Sequence, residues 1–247
     1  EFWTKYREAV KNIKIVDPAC GSGAFLITAF EYLLNYNNYL NDKIFDLTGT
    51  KDLFSDTTKE ILQNNIFGVD LNKESVEITK LSLWLKTANK NKTLATLENN
   101  IKCGNSLIDD VEIVGELAFN WEKEFPQVFE NGGFDVVVGN PPYVSAEYIS
   151  EIEKKYYEKI YYSASGRQNL YIIFYEKALN ILKKSANLGF ITPYTILKNM
   201  YYKEIREYIL KNAKILEIVD FKGITVFEDA GVDSIIFMLK KEQKKRV

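Results

Sequence analysis

The sequence predicts a doubly wound α/β fold, in which a seven-stranded, mainly parallel sheet carries helices on both faces. Short β-branched runs alternate with longer helical patterns along most of the 247 residues, and this alternation is typical of parallel sheets. Only Phe221–Gly231 separates the last two predicted strands, which is too short for a parallel crossover, so strand seven should run antiparallel. The length fits one large α/β domain or two small ones. A single domain over residues 1–247 is expected.

The strands are predicted from β-branched and aromatic runs bounded by Gly, Asp or Pro. They are Ile13–Asp17, Ile66–Asp70, Ile101–Cys103, Phe134–Gly139, Leu188–Thr192, Ile215–Asp220 and Val232–Leu239. Apolar residues at helical spacing predict the helices Glu74–Thr87, Tyr171–Lys184 and Tyr202–Leu210. Residues 34–58 and 143–169 fall outside the alternation and are predicted to be surface insertions or loops, the second with a short helix near Glu151–Tyr162.

Composition excludes several classes of protein. The net charge of −2 gives no general attraction for nucleic acid, so any site for a polyanion must be local. The chain has no histidine, which removes the commonest general base and zinc ligand, and no metal site is predicted. Two cysteines, Cys20 and Cys103, are too few for a disulfide framework and favour the reducing cytoplasm. No apolar run approaches the length that spans a bilayer, so no membrane partner is expected.

Unusual residues gather where the predicted strands end. Open α/β sheets bind ligands beyond the carboxyl ends of their strands, so we expect an active site along this edge. The segments found there are Asp17-Pro-Ala-Cys-Gly-Ser-Gly23, Asp70, Asn105, Asn140-Pro-Pro-Tyr143 and Thr192-Pro193.

The turn after the first strand has two glycines, Gly21 and Gly23, which let the backbone approach a ligand closely. A nicotinamide-binding loop would have a third glycine at Leu26, and a Walker loop would have a lysine. Asp17 would repel a phosphate but suits a ligand that carries positive charge. The alternative interpretation is a tight turn that only packs the helix on the strand.

Asp70 ends the second strand, where an acidic residue commonly accepts both hydroxyls of a ribose. Alternatively it caps the following helix, a role for which Asn72 is at least as good a candidate. The glycine turn and Asp70 together describe a nucleoside without phosphates and with a cationic group. S-adenosylmethionine fits that description.

The fourth strand runs directly into Asn140, two prolines and Tyr143. The prolines fix the backbone, so an uncharged carboxamide and a flat ring are held rigidly. An exocyclic amino group on a base is a poor nucleophile, but a carboxamide oxygen and a backbone carbonyl that accept its N–H bonds free its lone pair. The tyrosine would stack on a base that has been flipped out of duplex DNA.

These residues resemble the ordered motifs of amino-group DNA methyltransferases. The matching segments are DPACGSG (Asp17–Gly23), GVD (Gly68–Asp70), CGNSL (Cys103–Leu107) and NPPY (Asn140–Tyr143), followed by Asn169–Phe174, Leu188–Pro193 and Val226–Ala230. The chain is most similar to the adenine-specific restriction–modification type with motifs in gamma order, and the similarity covers nearly its whole length.

The resemblance implies the S-adenosylmethionine-dependent methyltransferase fold and methyl transfer to N6 of adenine in DNA, within a restriction–modification or phage-defence system. The cofactor contacts that it implies are Asp17, Pro18, Ala19, Cys20, Gly21, Gly23, Asp70, Leu71, Asn105, Ser106 and Phe174. The catalytic residues that it implies are Asn140, Pro141, Pro142 and Tyr143. Of these, Asn140 and Pro141 would hold the target amino group, while Tyr143 stacks on the base and Phe227 closes the slot.

The chain departs from the family pattern in three ways. Asn105 stands where the family usually has Asp, so its bond to the cofactor adenine would be neutral. No cofactor-contacting motif is found upstream of the first strand, and no target-recognition domain is found after the last. We therefore expect a catalytic core that works with a further target-recognition domain or subunit on double-stranded DNA. Alone, it should be weakly active on duplex DNA or inactive.

Several alternatives remain at this point. The acceptor could be N4 of cytosine, an RNA base or a protein glutamine, although cytosine enzymes more often carry Ser in place of Asn140. The chain could also be a non-catalytic subunit that keeps the fold only to bind DNA.

Overall fold

The structure is a computed structural model that describes residues 2–49, 56–87, 96–165, 169–224, 226 and 233–242. Its residues group into two compact units, Glu1–Cys103 and Gly104–Val247. Within the described ranges, no helix has both the length and the apolar character needed to cross a membrane.

The first unit contains a three-stranded parallel sheet. Its elements are α1 (Phe2–Lys11), β1 (Ile15–Asp17), α2 (Ala24–Thr48), α3 (Thr57–Asn64), β2 (Ile66–Asp70), α4 (Lys73–Thr87) and β3 (Ile101–Cys103). Strand β2 pairs in parallel with β1 on one side and with β3 on the other. Because the strands are parallel, Asp17 and Asp70 end neighbouring strands at the same edge of the sheet.

Helix α2 corrects one sequence-based prediction. Residues 34–58 were expected to form a loop, but α2 continues through them as far as Thr48. Leu33, Asn37 and Leu40 are buried at helical spacing along this stretch, and Asn37 Nδ2 donates to Leu33 O at 2.9 Å. The buried asparagine interrupts the apolar pattern, which is why the sequence concealed the helix.

The second unit has four strands and seven α-helices among the described residues. Its elements are α5 (Val111–Val114), α6 (Trp121–Glu124), α7 (Pro126–Phe129), β4 (Phe134–Gly139), α8 (Glu151–Ile160), α9 (Leu170–Ile181), β5 (Leu182–Pro193), α10 (Thr195–Lys198), α11 (Lys203–Asn212), β6 (Ala213–Asp220) and β7 (Ser234–Lys241). Strands β4 and β5 are parallel, and β7 lies between β5 and β6, antiparallel to both. The predicted strand number and the reversed seventh strand are confirmed.

Strand β5 is longer than predicted. The sequence placed Lys183 and Lys184 at the end of the preceding helix, whereas α9 ends at Ile181 and β5 begins at Leu182. The pairing of β4 with β5 is irregular here, and Ser185 adopts a left-handed φ of 65°. This polar irregularity hides the start of the strand from a search for alternating apolar residues.

Candidate active site

The loop after β1 depends on glycine at one position in particular. Gly23 is the N-cap of α2 with φ 86°, and a Cβ there would lie 2.8 Å from Cγ2 of Thr79. Thr79, which is fully buried on α4, donates its hydroxyl to Gly21 O at 2.8 Å. Gly21 has φ 52°, yet a Cβ at this position would meet no atom within 4 Å. The loop is therefore held tightly at Gly23 and leaves open space at Gly21.

Asp70 is held by the same loop. The backbone N–H of Gly21 donates to Asp70 Oδ2 at 2.8 Å, and that of Asn72 donates to Oδ1 at 2.9 Å. Asn72 itself caps α4, because its Oδ1 accepts the N–H groups of Glu74 at 2.8 Å and Ser75 at 3.1 Å. Asp70 is thus free of the capping role. Each of its carboxylate oxygens can accept a further hydrogen bond.

Asp17 is buried, with 1% of its surface exposed, and its Oδ1 accepts the N–H of Ala19 at 3.0 Å. Burial raises the pKa of Asp17 to about 7, the Ala19 hydrogen bond lowers it in part, and the charge of Asp70 raises it further. A positive charge placed beside this carboxyl would lower its pKa again. Asp17 therefore responds to the charge of whatever binds at this loop.

Two other predicted cofactor residues of the first unit differ in exposure. Cys20 is buried, and burial together with the charge of Asp17 raises the pKa of its thiol far above the ordinary value. A thiol in this state is not a nucleophile. Leu71, by contrast, exposes 56% of its surface. The cofactor roles of the residues from Asp17 to Gly23, of Asp70 and of Leu71 stay predictions.

Asn140 follows β4 directly and carries an unsatisfied acceptor. Its Oδ1 is buried and has no hydrogen-bond partner in the part of the chain that the structure describes. Pro141 is buried, Pro142 is exposed, and no cis peptide bond occurs in the described ranges. A buried polar atom left without a partner costs about 1–3 kcal/mol. An unsatisfied buried polar atom of this kind indicates a functional group that a ligand would satisfy.

The ring of Tyr143 is fixed at its hydroxyl end. The hydroxyl donates to Ile191 O of β5 at 3.3 Å, and the ring meets that of Tyr171 edge to face at a centroid distance of 5.8 Å. Burial raises the pKa of Tyr143 to about 12, so the hydroxyl stays protonated at neutral pH. These contacts orient the ring while the hydroxyl stays neutral.

Asn105 and Ser106 lie in a tightly bonded turn of the second unit. Asn105 Oδ1 accepts the N–H of Leu107 at 3.0 Å, which forms an Asx turn. The Ser106 carbonyl accepts Nε1–H of the buried Trp121 at 3.0 Å. The oxygen that was expected to face the cofactor adenine therefore already has one partner, and this predicted role stays untested.

The two aromatic residues assigned to ligand contacts are placed unequally. Phe174 lies on α9 and exposes only 6% of its surface, which fits core packing as well as a cofactor contact. Phe227 lies outside the described residues. In the described ranges, no group of three or more His, Cys, Asp and Glu side chains is placed to hold a metal ion.

Sequence reasoning missed Thr79, which anchors the glycine loop through Gly21 O. A signal was present, because Thr79 lies within the helix predicted over Glu74–Thr87. Ile191, which accepts the Tyr143 hydroxyl through its backbone carbonyl, left no signal, since any residue could supply that group.

Comparison with known proteins identifies the family. The model of the Eco57I restriction-modification methylase family matches residues 64–227, more than half of the chain. The type II restriction enzyme and methyltransferase RM.Eco57I of Escherichia coli is 30% identical over 251 residues, covering 94% of this chain and 25% of that protein. The chain therefore spans a quarter of the length of this relative.

Solved structures show the same fold. The M protein of the type I restriction enzyme EcoKI matches this chain with a TM-score of 0.62 at 18% identity. The match covers 95% of this chain and 43% of the M protein. A protein of Listeria monocytogenes described as a class I S-adenosylmethionine-dependent methyltransferase has a TM-score of 0.51 at 18% identity, covering all of this chain and 62% of its own. The predicted fold class is confirmed, and the chain belongs to the Eco57I restriction-modification methylase family.

Proposed function

We propose that the protein transfers a methyl group from S-adenosylmethionine to the N6 amino group of adenine in DNA, within a restriction–modification or phage-defence system. One observation carries the proposal: Asn140 Oδ1 is a buried acceptor without a partner among the described residues. It stands directly after β4 and before two prolines. An amino group that donates one N–H bond to this oxygen would satisfy it.

For methyl transfer, the lone pair of the amino nitrogen must be available to attack the methyl group. In adenine this pair is delocalised into the ring. We propose that Asn140 Oδ1 accepts one N–H of the amino group and that the carbonyl of Pro141 accepts the other, which favours tetrahedral geometry at nitrogen. Because the carboxamide is neutral, no charge is neutralised when this contact forms. The prolines limit backbone movement around the two acceptors. The proton leaves the nitrogen after methyl transfer, so no histidine is needed.

The loop of the first unit fits the cofactor. Gly21 has open space where a side chain would begin, and both Asp70 oxygens have capacity for a ribose hydroxyl. Asp17 offers a buried carboxyl that a cationic partner would hold in its ionised form. When bound, S-adenosylmethionine supplies an electrophilic methyl group on a sulfonium. We propose that Asp17, the residues from Pro18 to Gly23, Asp70 and Leu71 hold it.

Tyr143 would receive the base. A reacting base must leave the duplex, and an aromatic ring that is already oriented lowers the cost of holding it outside. The contacts of Tyr143 with Ile191 O and with Tyr171 supply that orientation. The DNA partner is double-stranded, and we propose that a further domain or subunit recognises its sequence.

The proposal is tested in a host that lacks DNA methylation. The full-length protein is expressed there as wild type and as the Asn140→Ala variant, and the nucleosides of the host DNA are measured by mass spectrometry. We expect N6-methyladenine with the wild type and none with the variant. N4-methylcytosine in place of N6-methyladenine would contradict the assigned acceptor. Unmethylated DNA from cells that contain folded wild-type protein would contradict the activity.

A further inference from the structure

The second unit contains a cavity of about 350 Å³, which is within the size range of ligand sites. None of its lining residues belongs to the Asn140–Tyr143 segment or to a predicted cofactor contact. The described lining residues are Ser145, Ala146, Glu147, Asn169, Asn199, Tyr201 and Tyr202.

Asn169 lines this cavity and carries an unsatisfied acceptor. It occupies the N-cap position of α9, where asparagine usually accepts a backbone N–H of the first turn, but its side chain makes no such bond. Its Oδ1 is buried and has no partner among the residues that the structure describes. Asn169 therefore repeats the property of Asn140: a carboxamide oxygen is held out of water without a donor.

The remaining lining selects against phosphate. It includes the carboxylate of Glu147 and no lysine or arginine among the described residues, so a negatively charged group would be repelled. Tyr201 exposes 51% of its surface, and its backbone N–H donates to Asn199 Oδ1 at 2.9 Å. Acceptor oxygens beside tyrosine rings are complementary to a flat heterocycle with N–H donors on its edge. A nucleobase has that chemistry.

The cavity adjoins the segment that would hold the target base. Ser145 pairs with Asn169 in an isolated antiparallel bridge. Ser145 is two positions along the chain from Tyr143, a span of at most about 7 Å. Aromatic contacts also connect the Asn140–Tyr143 segment with the cavity. The ring of Tyr171 meets Tyr143 at 5.8 Å and Tyr202 at 5.9 Å, edge to face in both cases. The cavity and the Asn140–Tyr143 segment are therefore neighbours within the second unit.

We propose that this cavity binds a second nucleobase, the neighbour of the reacting adenine on the same strand, and that Asn169 helps to specify it. The base donates an N–H of its edge to Asn169 Oδ1 and lies against Tyr201. The inference rests on the proposed methyl transfer, because it assigns the base that precedes or follows the target. It adds a specificity site outside the Asn140–Tyr143 segment.

The test uses the full-length protein in the methylation-free host, with long-read sequencing that locates every methylated adenine. Asn169→Leu removes the acceptor at similar size, whereas Asn169→Asp keeps it. Asn131→Leu is the control, since Asn131 is an exposed asparagine whose side chain donates to Gln127 O at 2.9 Å. We expect Asn169→Leu to lose about tenfold in base preference at one position adjacent to the methylated adenine. Asn169→Asp and the control should keep the wild-type preference.

Tyr201→Ala gives a second measurement that does not depend on a buried residue. It should weaken binding to duplexes with the preferred neighbouring base, and it should have no effect on duplexes with an abasic neighbour. An abasic site opposite the target is the comparison, and wild-type binding should tolerate it. If Asn169→Leu and Tyr201→Ala methylate with the wild-type preference, the inference is wrong although the proposed function stands. Absence of methylation by folded wild type contradicts both.

Discussion

The backbone N–H of Gly21 donates a 2.8 Å hydrogen bond to Oδ2 of Asp70. This bond joins two motifs that are 49 residues apart in sequence. It means that Asp70 supports the glycine loop and, in the proposed cofactor site, would also offer oxygens to the ligand. Substitution of Asp70 should therefore separate two effects, the loss of a charged acceptor and the loss of loop support.

Asp70→Ala should weaken S-adenosylmethionine binding by about 1.5–3 kcal/mol, the contribution of a hydrogen bond to a charged group. Asp70→Asn should weaken it less, because an amide oxygen can still accept the N–H of Gly21. Isothermal titration calorimetry on the purified protein measures both changes. Equal affinities for wild type and Asp70→Ala, or tighter binding of NAD than of S-adenosylmethionine, would contradict the cofactor assignment.

Cofactor affinity should depend on the ionisation of Asp17. Its pKa is raised from 3.8 to about 7 by burial, and a cationic ligand interacts favourably only with the ionised form. Below this pKa a proton must leave on binding, so affinity should rise as pH approaches about 7 and level off above it. Asp17→Asn should bind more weakly at the higher pH and show a flatter pH profile. A steep profile retained in Asp17→Asn would assign the titration to another group.

The same pKa shift affects the stability of the ligand-free protein, with the opposite sign. Because the pKa of Asp17 is higher in the folded chain than its ordinary value of 3.8, the contribution of this group is greatest below that value. It is lost as pH rises towards about 7. In Asp17→Asn, chemical denaturation at a series of pH values should show a smaller decline over this interval than in wild type.

Gly23→Ala should destabilise the protein. A Cβ would stand 2.8 Å from Thr79 Cγ2, and φ 86° costs a residue with a side chain about 1–2 kcal/mol. Thr79→Ser removes the methyl group but keeps the hydroxyl that donates to Gly21 O. Because Thr79 Oγ1 would still lie 2.9 Å from the added Cβ, the double variant should recover only the part of the steric loss that the methyl group causes and none of the conformational part, as measured by thermal denaturation. Gly21→Ala is the comparison, because its φ is also positive but its surroundings are open.

Asn140→Ala should abolish activity at little cost in stability. Loss of one preorganised hydrogen-bonding group in an active site lowers kcat by about 10²–10³. Asn140 Oδ1 has no partner in the described ranges, so its removal relieves a buried unsatisfied atom. A methyl-transfer assay, cofactor titration and thermal denaturation together test this expectation. A fall in cofactor affinity as large as the fall in kcat would place Asn140 in cofactor binding instead.

Tyr143→Phe and Tyr143→Ala should differ strongly. The phenylalanine variant keeps the ring and loses only the hydrogen bond to Ile191 O, worth about 0.5–1.5 kcal/mol. The alanine variant also loses the stacking face, worth about 1–3 kcal/mol per base. Methyl transfer to a duplex with the target site measures the difference. Equal impairment would mean that the hydroxyl rather than the ring matters.

The strands of this protein were the easiest elements to predict. The bounds of β2, β3 and β4 agree with the sequence because each is a short β-branched or aromatic run that ends at Asp, Cys or Gly. Helix α2 and the start of β5 were missed because polar residues lie inside them, Asn37 on a buried face and Ser185 at the irregularity. A polar residue within an apolar pattern usually indicates the end of a helix or strand.

The sequence was enough to predict the residues of the candidate site, but not the atoms that hold these residues in place. Asp70 stands out because β2 ends at it, and Asn140 and Tyr143 stand out because they closely follow the end of β4 at Gly139. The atoms that hold them come from distant parts of the chain, such as Ile191 O, 48 residues from Tyr143. Asn169 was visible only as part of a motif, and its unsatisfied oxygen required the three-dimensional structure.

Strand β7 follows both β5 and β6 in the sequence, yet it lies between them in the sheet. Both of these strands leave the ribosome with the edge that β7 will occupy still unpaired. At about 5–20 residues per second, the 21 residues from Asp220 to Lys241 take roughly one to four seconds to follow. During that interval two open strand edges can pair with another nascent chain. The second unit therefore completes its sheet only after Lys241 has been synthesised, and chaperone binding during this interval should matter more for its yield than the stability of its core.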